Sequence, residues 1–475
     1  MREGKLQLSV VKEVRRYWPE ILITVVVLLY HFTSPVLFNY TDGVVFGTAH
    51  IDALYPHYPL FYPLLMQGLM FVTGSFCDAL TGMRFLQLFT VWAAMLYTVN
   101  SFSSRKWQAT IALLLFTPII VFQLGLGTES LFISAELLFL SSLIRLFRKA
   151  TKWNVIVHLC ALMLMLSTRH TGIIIATIPF VFLGIRWLKE RTKQNFIPLV
   201  RMGAAYGTVY IFLSLINAGA TLVLSAPKVT LYGRPAMHII TETLWHIEDP
   251  QAYDALVRAW RGQAKDEFDV RLQQCITESR DIWFGPRSCL EKYVNEVYPY
   301  FSKQDRRTFV DRQLNDVYVQ FLTCGDRHVY LYLLKALWNF FPGTTDAVST
   351  YITSHESFYR DNLNNNGYWQ CDFNDYFGED RDRLTIIRLA AAVETLFTAI
   401  GMNFLLWLVI FRTGLLRNKL MGLSMAVTLL LHVVVLTFFT CFLARYTVPN
   451  SIILIFTGLL LLPDKLPFRP FLKRM

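Results

Sequence analysis

The chain is poor in charge. Asp, Glu, Lys and Arg make up 17% of its 475 residues, against about a quarter in soluble domains. That shortage, with 54% hydrophobic residues and a mean hydropathy of +0.39, excludes an ordinary soluble enzyme. There is no CxxC and no HxxxH, so no structural zinc site of the usual spacing. There is no clear DxD motif. Asp380-Arg-Asp382 comes nearest, in a highly charged tether, and a divalent metal is therefore not indicated. No internal repeat is visible, which argues against a transporter built from pseudo-symmetric halves. The N-terminus lacks a short apolar core with a small-residue cleavage site, so the first long span is expected to stay as an anchor.

What the chain does have is repeated apolar runs of about 18 residues or more, which predict an all-α polytopic membrane protein. The formal net charge of +11 does not point to nucleic acid, because the basic residues fall in short clusters between apolar spans. The clusters are Arg2–Arg16, Arg105-Lys106, Arg145–Lys152, Arg186–Lys193, Arg412–Lys419 and Lys465–Arg474. Under the positive-inside rule all six are cytoplasmic, and an even number of crossings separates neighbours. The predicted spans are 19–38, 83–103, 107–125, 129–146, 154–168, 171–187, 196–224, 388–411, 420–443 and 447–463. That makes about ten, with both termini cytoplasmic.

The apolar segment 59–75 would spoil this parity if it crossed. Pro59, Pro63, Gly68 and Gly74 suit a broken element, so it is expected as a re-entrant or interfacial helix on the outer side. The domains expected are an N-terminal transmembrane module over 1–225, with a first outer loop at 39–82, then a mainly α extracytoplasmic insertion at 226–387, and C-terminal transmembrane helices with a basic tail at 388–475. In the insertion, Gln251–Ile276 reads as an amphipathic helix. His328–Phe341 is expected to pack within that domain or lie on the bilayer surface. Four of the seven cysteines, Cys275, Cys289, Cys324 and Cys371, fall in the insertion. They are candidates for two disulfides with three possible pairings, or for four free thiols.

The parity argument also gathers polar groups on the outer side. Asp42, His50, Asp52 and His57 lie in the first outer loop, Thr128-Glu129 opens the fourth span, Ser167-Thr-Arg-His-Thr-Gly172 is a short outer turn, and Arg445-Tyr446 follows the ninth span. Arginine recognises phosphate through charge-assisted, often bidentate hydrogen bonds, and a carboxylate can take a proton from an incoming hydroxyl. Each residue also has a plainer use. Arg169 and Arg445 could snorkel to the interface. Glu129 could complement a helix N-terminus, with Thr128 as its cap. His50 and His57 could bond loop backbone, and Asp42 could be a turn residue before Gly43. Glu136, His158, Glu394 and His432 lie inside apolar spans, where such groups usually face the bundle interior.

With these motifs in order, the chain resembles the GT-C-type integral membrane glycosyltransferases, the group that contains the protein O-mannosyltransferases and the lipid A aminoarabinose transferases. The likeness rests on Thr41-Asp-Gly43 after the first span; on His57-Tyr-Pro-Leu-Phe-Tyr-Pro63 through Gly74 to Met83-Arg84-Phe85; on Thr128-Glu-Ser-Leu-Phe132 through Arg145-Leu-Phe-Arg-Lys149; and on Ser167–Gly172 paired with Arg445-Tyr-Thr-Val-Pro449. It covers roughly 1–224 and 388–463, and not the insertion.

The resemblance implies a polyprenyl-phosphate sugar as donor and an inverting transfer to a lipid, glycan or protein acceptor on the extracytoplasmic side. Asp42 would be the general base. Arg169 and Arg445 would hold the leaving phosphate, and Glu129 would shape the sugar or acceptor pocket, with His170, Tyr446, Asp52 and His57 as further substrate-binding candidates. No cofactor beyond the lipid-linked donor is implied. The expected location is a bacterial inner membrane, with 226–387 periplasmic. The chain departs from the family in having a single Asp at 42, Glu at 129 where many members have Asp, and Arg at 169 where aminoarabinose transferases carry Lys. Two other functions are open: a glycan polymerase or ligase that uses lipid-diphosphate oligosaccharides and relies on Arg327-His328, and a non-enzymatic transporter or assembly partner.

Overall fold

The computed structural model describes residues 17–29, 37–38, 59–115, 125–126, 128–169, 171–223, 285–302, 327–339, 419–439 and 448–461, with isolated residues of 270–278, 305–310, 323 and 400. Described residues in regular structure are helical except for one two-residue parallel pairing. The helices are α1 (Tyr17–Leu29), α2 (Phe61–Thr73), α3 (Phe76–Ser101), α4 (Lys106–Leu115), α5 (Thr128–Arg148), α6 (Lys152–Thr168), α7 (Gly172–Ile175), α8 (Ile178–Glu190), α9 (Lys193–Val223), α10 (Gly285–Val297), α11 (Arg327–Asn339), α12 (Lys419–Phe439) and α13 (Val448–Leu461). The pairing joins β1 (Leu37–Phe38) to β2 (Gly125–Leu126), with Leu37 opposite Gly125 and Phe38 opposite Leu126.

Among the described residues four helices are long and apolar enough to cross a bilayer: Thr128–Arg148, Gly172–Glu190, Lys193–Val223 and Leu420–Thr437. Their surroundings differ sharply. In α5, 78% of the apolar window is buried inside the protein, whereas α9 buries only Asn195, Tyr206, Val209 and Ala220 of its 31 residues. A helix that is apolar all round and mostly exposed needs lipid as solvent. This is the surface of a helical membrane protein. The core forms where α5 packs against α3, α6 and α13, around Phe132, Phe139, Met95 and Phe456.

Segment 59–75 forms α2. Its 13 residues make a rod of about 20 Å, short of the roughly 30 Å hydrocarbon core. It ends at Gly74, whose φ of 73° is left-handed and whose amide donates to Met70 O at 2.8 Å, an arrangement that favours glycine. Ser75 then caps α3 by accepting from the Asp78 amide. The helix therefore starts at Phe76, seven residues before the predicted span at 83. At its far end a 3₁₀ turn, Ser103–Arg105, leads into α4. The axes bend there by 92°, where the sequence predicts a reversal into a further span.

Polar side chains lock the helices together. Ser141 Oγ donates to Thr98 Oγ1 at 2.8 Å, and Trp92 Nε1 donates to Thr24 Oγ1 at 3.0 Å. Ser142 Oγ donates to Phe139 O, which leaves it to accept from His158 Nδ1 at 2.9 Å. Nε2 of His158 then accepts from Tyr206 Oη at 2.7 Å, and Phe139 stacks on the imidazole with centroids 4.7 Å apart. This chain ties α5, α6 and α9, and it gives His158 a structural use.

The basic residues gather at one end, where helix C-termini present unpaired carbonyls. Arg148 Nη1 donates to Ser101 O at 2.6 Å, Arg145 Nε to Ser101 Oγ at 2.8 Å, and Arg105 Nη1 to Leu459 O. Glu20 of α1 pairs with Lys106 at the same end.

Within the stretch expected as an insertion, Cys275 and Cys289 form a disulfide, while Cys324 and Cys371 lie outside the described residues. Tyr298 and Phe301 stack, and Phe309 meets Phe301 edge-on. Of Gln251–Ile276, residues 270–271 and 274–275 are described and helical. The segment expected within the domain or on the bilayer surface forms α11. It packs against α12, with Leu337 at the rim of the bundle core.

Candidate functional site

Glu129 and Arg169 come together at the end of the bundle opposite the basic one. Glu129 sits in the first turn of α5, and Arg169 is the residue that ends α6. These helices run antiparallel, joined by the short 149–151 turn, so the start of one lies beside the end of the other. Arg169 Nη1 donates to Glu129 Oε1 at 3.0 Å. Both side chains are largely buried, with 15% and 5% exposure. The guanidinium carbon also lies 5.9 Å from the centroid of Phe132, at the outer limit of a cation–π contact.

The turn that carries Arg169 is tightly built. Arg169 is extended (φ −149°, ψ 138°), so it leaves the helix and turns its side chain toward α5. Thr168 Oγ1 closes on Leu164 O at 2.8 Å, and the Gly172 amide donates to Arg169 O at 3.1 Å. Gly172 is pressed against the preceding helix: a Cβ there would lie 2.9 Å from Met165 Cγ and 3.0 Å from Met165 O. Only glycine lets the chain reverse so closely.

Two further ionisable side chains are buried in the same bundle. His432 of α12 donates through Nδ1 to Asn450 Oδ1 of α13 at 2.6 Å, and both residues are buried. Arg169 lies close enough to His432 to act on it electrostatically. The Nε2 of His432 has no hydrogen-bond partner among the described residues. The sequence marks His432 only as an ionisable residue inside an apolar span and does not single out Asn450. Two turns into α5, Glu136 is fully buried, and neither of its oxygens has a partner among the described residues.

The β1–β2 pairing adjoins the same end. Phe38, four residues before Asp42, lies opposite Leu126, three residues before Glu129. Asp42, Asp52, His57, His170, Arg445 and Tyr446 themselves lie outside the described residues. Among the described residues no three of His, Cys, Asp and Glu converge as a metal cage.

Chemically, a guanidinium held by a carboxylate beside an imidazole can bind an anion and orient it. Arginine offers five N–H donors in a planar fork, so one edge can serve a carboxylate while another faces a phosphate. No protein-family model matches the chain, and no curated protein or solved structure matches it.

Proposed function

We propose that the protein is a membrane glycosyltransferase that moves a sugar from a polyprenyl-phosphate donor to a lipid, glycan or protein acceptor. The transfer takes place at the membrane face opposite the basic end, extracytoplasmic in a bacterial inner membrane. The observation that carries this reading is the Glu129–Arg169 pair, drawn from positions 40 residues apart into a buried contact at that end. Fixed cations in a dry site stabilise a leaving phosphate strongly, because nothing must reorganise as charge develops.

In the proposed reaction Asp42 accepts the proton of the acceptor hydroxyl. The acceptor oxygen attacks the anomeric carbon from the face opposite the phosphate. The bond from that carbon to the phosphate oxygen breaks, and the polyprenyl phosphate leaves with the electron pair, inverting the anomeric centre. Arg169 and Arg445 hold the departing phosphate, while Glu129 fixes the Arg169 fork. His170, Tyr446, Asp52 and His57 contact substrate. One connection favours Asp42 as base. The β1–β2 pairing anchors the chain leading into Asp42 beside the chain leading into Glu129. Four residues reach at most about 14 Å.

Binding of a polyprenyl phosphate to the protein in nanodiscs tests this reading. Arg169→Gln removes the charge-assisted hydrogen bonds and is expected to weaken binding roughly ten- to hundredfold. Arg169→Lys keeps the charge without the fork and should fall between. Equal binding by all three proteins contradicts the assignment of Arg169.

A further inference from the structure

At the basic end, the structure holds a cavity of about 600 Å³ between α5, α8, α12 and α13. Arg148, Arg186 and Lys189 line it together with the apolar side chains of Phe147, Phe182 and Met421. We infer that this cavity binds the phosphate of an anionic phospholipid, with Arg186 and Lys189 on the phosphate and the aromatic and aliphatic walls against the upper acyl chains. The inference is independent of the transfer reaction. It needs only that the bundle sits in a bilayer.

Three observations carry it. First, the charge is unbalanced. The cavity lining sets Arg148, Arg186 and Lys189 against one acid, Glu190, and Arg148 has the charges of Arg105 and Arg145 close by. Secondly, Arg186 and Lys189 have no hydrogen-bond or ion-pair partner among the described residues, while Arg105, Arg145 and Arg148 are engaged with backbone or hydroxyl oxygens. Helix capping therefore accounts for the last three and leaves Arg186 and Lys189 for another anion. Thirdly, the cavity mixes cations with large apolar walls. A free phosphate has no use for Phe147 and Phe182, but a lipid needs both kinds of surface. Basic pockets between spans on the cytoplasmic side are a recurrent way to hold anionic headgroups.

The full chain is reconstituted in phosphatidylcholine nanodiscs with and without phosphatidylglycerol, released into detergent, and weighed by native mass spectrometry with its retained lipid. Wild type is expected to retain phosphatidylglycerol selectively. Arg186→Gln/Lys189→Gln is expected to weaken that retention about 30-fold, from about one kcal/mol for each basic residue near the surface. Arg201→Gln, a basic residue of α9 that does not line the cavity, should leave it unchanged. A melting curve in phosphatidylcholine alone checks that the variants are folded. Equal retention by wild type and the double variant overturns the inference, as does an equal loss in Arg201→Gln. If millimolar inorganic phosphate stabilises wild type in phosphatidylcholine alone, and the double variant abolishes that effect without changing lipid retention, the ligand is a free phosphate and the lipid assignment falls.

Discussion

The Glu129–Arg169 pair makes an asymmetric prediction. At 3.0 Å and an effective dielectric near 20, the gross attraction is about 5 kcal/mol, offset by the cost of taking two ions out of water. Removing one partner takes a charge-assisted hydrogen bond from the other, which costs about 3–5 kcal/mol at a buried site. The two partners are not equivalent. Glu129 is 5% exposed on a short side chain, whereas Arg169 is 15% exposed on a long one, and a guanidinium can swing toward water. Arg169→Met should therefore destabilise more than Glu129→Leu. The double variant, with two apolar side chains in place of the ions, should recover most of the loss and give a coupling of at least about 2 kcal/mol. Reversible unfolding in mixed micelles, read by tryptophan fluorescence, measures all three. Additivity within about 0.5 kcal/mol would refute the reasoning, as would a Glu129→Leu variant less stable than Arg169→Met. The same proteins separate architecture from chemistry: the double variant should be stable yet lose affinity for polyprenyl phosphate.

Gly172→Ala forces a Cβ against Met165 O at 3.0 Å, and should cost roughly 1–3 kcal/mol in the same unfolding assay while weakening phosphate binding by displacing Arg169. The Cys275–Cys289 disulfide closes a loop with a sequence separation of 14. Replacing both cysteines with serine should cost the insertion about 3 kcal/mol, seen as faster limited proteolysis there, while peptide mapping of the unreduced protein should recover the 275–289 link.

The helical frame is legible in the sequence for a physical reason. In lipid the backbone must satisfy its own hydrogen bonds, so a long apolar run is a helix almost by necessity. The structure accordingly places α5, α9 and α13 within about three residues of the predicted spans 129–146, 196–224 and 447–463. The start of α3 is not legible in this way. Its first turns carry Cys77, Asp78 and Thr81, too polar to count as a span, and what begins the helix is a left-handed Gly74 and a Ser75 cap. The 92° bend after Ser101 sits where the basic residues of α5 reach across to the end of α3, a tertiary contact that hydropathy does not encode.

For the site, charge parity groups Glu129 and Arg169 on one side of the membrane but does not make them touch. Their contact depends on the packing of α5 on α6 and on the close turn that Gly172 permits. His432 and Asn450 are harder still, being single polar residues in apolar runs whose meeting depends on how α12 packs on α13.

Sugar transfer by membranes carrying wild type or Asp42→Asn, supplied with a labelled polyprenyl-phosphate sugar, tests the central claim most directly. The account predicts transfer by wild type, and a loss of about a hundredfold or more in the amide variant with its unfolding midpoint unchanged. Full transfer by Asp42→Asn would contradict Asp42 as the base, and no transfer by wild type from any such donor would contradict the proposed reaction itself.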